Sequence, residues 1–262
     1  MRKLVVANWK ENPRTEAKAL ALFCAVAEIK HPKNIEVAVC PPFIYLERIS
    51  EMRRRGDGSR AARVALGAQD VFWEEKGAYT SEVGPKMLRS LGVRYVIIGH
   101  SERRRWLHET DVMINKKTKR ALKDGLGAIL CVGEPLSVRR KGVAAAKKFV
   151  EGQLAKDLAG VSRIKLPRLV VAYEPIWAIG TGRYDKPEDA LAMAVVIKNF
   201  LKKTFRFAPR VLYGGSVDSK NVHSYVQYKE IDGTLVGGAS LRAAEFKKMV
   251  VAVARTGIKN KR

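Results

Sequence analysis

Leu169-Val170-Val171-Ala172-Tyr173-Glu174-Pro175-Ile176-Trp177-Ala178-Ile179-Gly180-Thr181-Gly182 is the stretch from which the fold can be read. Five apolar residues run without alternation, then stop at an acid, a proline and a glycine-containing tail. A strand wet on one face alternates apolar with polar; an unbroken run belongs to a strand buried on both faces, as in a parallel sheet. The same pattern recurs on either side of it. Leu4–Ala7, Ile35–Val39, Val64–Ala68, Tyr95–Ile98 and Ala128–Val132 precede it, and Val211–Tyr213 and Gly233–Val236 follow.

Helical patterns separate these runs. Leu20, Phe23, Cys24 and Ala27 fall at i, i+3, i+4 and i+7, which predicts one buried helix face. Pro187-Glu188-Asp189 places a proline near N1 and acids in the first turn of a helix that continues through Ala190 to Leu201. Val143 to Leu158 reads as a long helix with Lys147, Lys148 and Lys156 outward, and Arg53–Arg63 as a basic loop before the third strand. Eight strand–helix units in 262 residues predict an α/β fold, a single (β/α)8 barrel. A doubly wound open sheet is the competing architecture. No linker or shift in composition divides the chain, so residues 1–262 read as one catalytic domain.

Composition narrows the function classes. Hydrophobic residues make up 47% of the chain, ample for a large core. Cys24, Cys40 and Cys131 are an odd, scattered set with no C-x-x-C, which argues against a disulfide framework or zinc ribbon and for a reducing, cytoplasmic setting. The apolar run behind Met1-Arg2-Lys3 is too short for a signal peptide, and no stretch is long enough for a membrane span. No metal site is expected: His108-Glu109 begins an H-E-x-x-H, but position 112 is valine. The net charge of +24 leaves nucleic-acid binding open. Arg53–Arg55, Arg103–Arg105 and the 259–262 tail lack interleaved aromatics and match no nucleic-acid motif, which favours a solvated basic surface.

In a barrel, function gathers at the carboxyl ends of the strands. The first run ends in Asn8-Trp9-Lys10, the fourth in Gly99-His100-Ser101-Glu102-Arg103-Arg104 and the sixth in Glu174-Pro175. The seventh ends in Gly214-Gly215-Ser216 and the eighth in Gly237-Gly238-Ala239-Ser240. These segments, with Ala7–Lys10, Tyr95–Arg104, Ala172–Gly182, Leu212–Val217 and Leu235–Ser240 in order across essentially the whole chain, resemble the signatures of the triosephosphate isomerase family.

That resemblance implies a TIM barrel that interconverts dihydroxyacetone phosphate and glyceraldehyde 3-phosphate without a cofactor. By the same resemblance Glu174 is the base, His100 a neutral electrophile, and Lys10 and Asn8 stabilise the developing enediolate. Glu102 is implied to support Lys10. Asn8, Lys10, Gly180, Ser216, Gly237 and Gly238 are the implied substrate-binding set, the last four cradling phosphate. Pro175, Ile176, Trp177, Ala178, Ile179, Gly180, Thr181 and Gly182 correspond to a mobile lid running on to Asp185, with Tyr213 and Ser216 as its latch and Glu134 meeting Trp177 on closure. Arg183-Tyr184-Asp185 departs from the family at the second hinge, where a lysine and small residues are usual. The segment from Gly67 to Glu82 resembles the family's subunit-contact loop and implies a homodimer, with Gln69 near the interface and Thr80 reaching across. On this reading Val71-Phe72-Trp73 would otherwise expose an apolar patch. Another sugar-phosphate barrel is the rival enzyme, set apart by the combination of Glu174, His100, Lys10 and Trp177.

Overall fold

The computed structural model describes residues 2–30, 32–55, 60–178 and 184–256. Every apolar run forms a strand: β1 (Lys3–Asn8), β2 (Ile35–Cys40), β3 (Ala65–Ala68), β4 (Val93–Ile98), β5 (Gly127–Val132), β6 (Leu169–Tyr173), β7 (Arg210–Tyr213) and β8 (Gly233–Val236). Each pairs in parallel with the next, and β1 also pairs with β8 in the register Leu4↔Gly233 through Ala7↔Val236. That last pairing closes the sheet and decides for the barrel over the open sheet. A Cβ on Gly233 would stand 1.8 Å from the Leu4 carbonyl oxygen, and its φ is +149°, so the closing seam requires glycine.

The unbroken hydrophobicity of the runs has its cause in two cores. Leu4, Val6, Ile97, Ile129, Val170 and Leu212 fill the barrel. Their strand neighbours, such as Val5, Val37, Val96 and Val171, pack outward against the helices. At the amino end of the strands the interior turns polar. The Tyr95 hydroxyl donates to Glu36 at 2.7 Å, and Arg210 donates to Glu36 at 2.9 Å and to the Tyr95 oxygen at 2.8 Å. Burial pushes Glu36 up, but the Tyr95 and Arg210 bonds outweigh it and hold the carboxylate below its ordinary range.

The helices ring this barrel. Pro187–Phe205 begins on its proline, as its sequence predicts, and stops at Arg206 with φ 58°. Val143–Asp157 forms as read, with Lys148 and Lys156 exposed and Lys147 half-buried. The helix Glu16–Ala27, capped by the Thr15 hydroxyl, buries Ala19, Phe23, Val26 and Ala27 rather than the predicted stripe. Leu20 is half-buried and Cys24 faces out. Two adjacent stripes in this helix satisfy the 3.6-residue period, and barrel packing selects the one centred between Phe23 and Ala27.

Arg53–Arg63 is a second correction, because its described parts are helical rather than loop. Leu46–Arg55 runs through all three arginines, and Arg60–Arg63 adds a further turn. Arginine is a good helix former and is favoured at the carboxyl end of the dipole. No described helix is long and apolar enough to cross a membrane.

Candidate active site

The carboxyl ends of β1, β4, β6, β7 and β8 converge on a cavity of about 330 Å³. Asn8, Lys10, His100, Glu174, Ser216, Gly237 and Gly238 all line it. Gly180, together with Ile179, Thr181 and Gly182, lies outside the described residues. Tyr184 and Arg242 also border the cavity, although the sequence gave no signal for either.

Lys10 is held in an unfavourable backbone conformation, with φ 54°. Its N–H donates to the Asn8 Oδ1 at 3.1 Å, and its carbonyl accepts from Gln69 Nε2 at 2.8 Å. Gln69 also donates to the Cys40 carbonyl at 2.9 Å, so one amide clamps the turn between β1 and β2. The Lys10 ammonium pairs with Glu102, the second residue of the helix Ser101–Trp106. Surrounding bonds therefore fix a strained turn that aims a cation into the cavity.

His100 caps that same helix. Its Nδ1 accepts the Glu102 N–H at 3.2 Å. With Nδ1 an acceptor, the neutral ring carries its proton on Nε2. That nitrogen lies 3.3 Å from Glu174 Oε1. The other Glu174 oxygen accepts the Ser101 N–H at 3.1 Å.

Glu174 is 2% exposed, a carboxylate placed on the last rung of the barrel by its own N–H bond to Val132 at 2.8 Å. Two glycines make room for it. A Cβ at Gly133 would meet the Glu174 carbonyl oxygen at 1.7 Å, and one at Gly214 would meet Glu174 Cγ at 2.9 Å. Neither glycine carries this role in the sequence, because the partner is remote in the chain. Cys131, below Glu174, has its thiol pushed well up, first by burial and then by the Glu174 charge. It is therefore a protonated packing residue at neutral pH, not a reactive thiolate.

The segment after Glu174 is fastened at its near end. Trp177 Nε1 donates to Glu134 Oε1 at 3.1 Å, and the Tyr173 hydroxyl donates to the same carboxylate at 3.1 Å. The expected Trp177–Glu134 meeting is thus already made in this arrangement. The Ser216 hydroxyl donates to the Ala178 carbonyl at 2.6 Å. Tyr213 stacks on Tyr225 with ring centroids 4.0 Å apart, and the Tyr225 hydroxyl donates to the Asp185 carbonyl at 2.6 Å.

Beside the main cavity a second one, about 380 Å³, is bordered by Lys10, Glu11, Gln69, Glu102, Trp106 and Leu107. Thr80 is exposed. The expected apolar patch at Val71-Phe72-Trp73 is not there: Val71 is 1% and Phe72 8% exposed, the Phe72 ring packed at 4.8 Å from Tyr79. The exposed apolar residues are instead Ile44, Tyr79, Met87, Trp106 and Leu107, in the segments following β2, β3 and β4. Those strands are neighbours, so the residues share one flank of the rim.

Behind this flank, Lys117 and Arg103 jointly bind Asp70 and Glu109, with Lys117–Asp70 at 2.7 Å and Arg103–Asp70 at 2.8 Å. Among the described residues, no group of three or more His, Cys, Asp or Glu is placed to hold a metal ion. A carboxylate, an imidazole N–H and an ammonium around one small cavity suit proton abstraction next to a carbonyl.

Comparison with known proteins agrees with this geometry. The family model described as triosephosphate isomerase matches residues 3–253. A triosephosphate isomerase of Thermus thermophilus is 45% identical over 249 residues, covering 94% of this chain and 96% of its own. Those of Herpetosiphon aurantiacus and Caldanaerobacter subterraneus subsp. tengcongensis are 43% and 41% identical over 253 residues, covering 95% of this chain and 98% of theirs. The chain is an isomerase and belongs to the triosephosphate isomerase family.

Proposed function

We propose that this chain interconverts dihydroxyacetone phosphate and D-glyceraldehyde 3-phosphate through an enediolate, serving glycolysis and gluconeogenesis in the cytoplasm without a cofactor. The observation that carries this is the placing of Glu174 Oε1 3.3 Å from His100 Nε2 on the cavity Lys10 also lines. Two adjacent carbons of a triose then meet the base and the N–H donor together.

Glu174 leaves the Ser101 N–H when substrate enters, takes the proton from one carbon and returns it to the next. A positioned base of this type contributes about 10²–10⁴ in rate. The Nε2–H of His100 donates to the oxygen on which negative charge develops. The Lys10 ammonium and the Asn8 amide stabilise the same charge, and such preorganised donors are worth roughly 10²–10³ each. Glu102 holds Lys10 in place through its ion pair. Ser216, Gly237 and Gly238 receive the phosphate, where glycine allows close backbone approach.

The segment 175–182 acts as the lid, with Ser216 as a latch on Ala178. Closing expels water and keeps the enediolate from eliminating phosphate.

The active species is a homodimer. The exposed apolar flank and the adjoining 380 Å³ cavity support it, with Thr80 and Gln69 at the contact. A fully active monomer by light scattering at micromolar concentration would refute the dimer.

The reaction is tested by a coupled assay of glyceraldehyde 3-phosphate conversion in the wild type and Glu174→Gln. A fast wild type with a loss of at least ~10² in the variant is expected. A folded wild type no faster than buffer would overturn the proposal.

A further inference from the structure

Arg139 sits where four groups meet, at the end of the helical turn Leu136–Arg139. Its guanidinium lies 2.7 Å from Asp189, 3.7 Å from Asp185 and 3.8 Å from Glu134, and 5.6 Å from the centre of the Trp177 ring. Trp177 belongs to the near end of the segment after Glu174. Asp185 and Asp189 belong to its far end and to the first turn of Pro187–Phe205. One cation thus spans both ends.

Asp185 is the unusual member. It is 1% exposed, yet neither carboxylate oxygen makes a hydrogen bond. A buried carboxylate without hydrogen bonds is costly when charged and cheap when neutral. The groups facing it are Arg139, Asp189, Glu134 and the Lys186 N–H, with Tyr173, Tyr213 and Tyr225 from β6, β7 and the helix Val222–Val226. Three carboxylates therefore share one guanidinium.

We propose that Arg139 and Asp185 are positioning residues for the lid: their ion pair ties the Trp177 end to the 185–189 end, and the charge on Asp185 sets how tightly the lid rests. This deepens the isomerase reading and rests on segment 175–182 being a lid. Charged Asp185 draws on Arg139 and holds the resting arrangement, in which Glu174 is engaged by Ser101. Neutral Asp185 releases that pull, and Arg139 keeps only Glu134 and Asp189. Burial, first, and then the neighbouring carboxylates push the Asp185 carboxyl up to about 7 against the pull of Arg139, which puts the change near neutral pH.

The test reads Trp177 emission between pH 5.5 and 8.5 without substrate, as the difference between each protein and its Trp177→Phe counterpart. The wild type is expected to show a transition near pH 7 that Asp185→Asn lacks. Asp189→Asn removes a like charge and moves the midpoint down, and Arg139→Met removes the counter-charge and moves it up, each by about one pH unit. Arg139→Lys keeps the charge and stays closer to the wild type. The same inflection is expected in kcat/KM for glyceraldehyde 3-phosphate and is absent from Asp185→Asn. No wild-type transition, or one that survives in Asp185→Asn, would overturn the proposal. An inactive wild type that still shows the Asp185-dependent emission change would refute the reaction and leave the tie standing; the converse would refute the tie alone.

Discussion

Gly214→Ala tests whether the site depends on the fit between β7 and the base. Gly214 follows β7, and its φ lies outside the left-handed region, so alanine meets no backbone penalty there. Its Cβ, however, would lie 2.9 Å from Glu174 Cγ and 3.2 Å from the Tyr173 carbonyl oxygen. Carbon atoms rest at about 3.5 Å or more, so the Glu174 side chain must move by roughly 0.6 Å, and the backbone oxygen blocks retreat of the methyl group. The carboxylate oxygens, further along the side chain, move by up to about 1 Å, a misplacement that can cost ~10² in rate. Overpacking of this kind costs about 1–3 kcal/mol of stability, so the protein remains folded.

Steady-state assay of wild type, Gly214→Ala and the control Gly152→Ala separates the effects. Gly152 is helical with nothing within 4 Å of its added Cβ, and there kcat is expected to be unchanged. Gly214→Ala is expected to lose kcat by about 10–100-fold with little change in KM. A kcat within twofold of wild type, with the variant folded, would refute the claim that the glycine places the base.

Two further expectations concern buried charge. Lys117→Met leaves Asp70 and Glu109 with Arg103 alone, and breaking a buried pair in this way costs about 3–5 kcal/mol; a loss under ~1 kcal/mol in urea denaturation at pH 8 would show that Arg103 suffices. Asp185 sets a pH dependence whose sign follows from its raised carboxyl. The folded protein holds the proton up to about pH 7 and the unfolded chain only to 3.8, so the stability this group contributes is complete below pH 3.8 and is lost as pH rises through 7. Asp185→Asn mimics the protonated form and is expected to exceed the wild type above pH 7 by up to about 4 kcal/mol, the gap closing towards pH 4. Denaturation midpoints of the two proteins across pH 4–8 measure it, and a pH-independent difference would contradict the assignment.

Much of this protein is local information. The strands were legible because each buries both faces, one in the barrel and one under the helices, so Leu169–Tyr173 and its seven counterparts appear as unbroken apolar runs. The chief site residues were legible because a barrel exposes function at strand ends, and Asn8, Lys10, His100 and Glu174 stand within two residues of one. Proline at the start of Pro187–Phe205 marked a boundary for a reason internal to the chain.

What the tertiary structure alone decided are relations between remote segments. Periodicity in Glu16–Ala27 could not choose between Cys24 and Val26, since that depends on which stripe the barrel touches. The burial of Val71 and Phe72 depends on Val83 and Tyr79 folding back over them. Closure of the sheet depends on β8 reaching β1 across 229 residues from Leu4 to Gly233, a contact no local pattern encodes. The Glu174 niche is formed by glycines from two other strands, and the unpaired Asp185 carboxylate by a guanidinium 46 positions earlier. Local sequence sets conformational preference and burial, whereas partners and their distances arise only when the chain closes on itself.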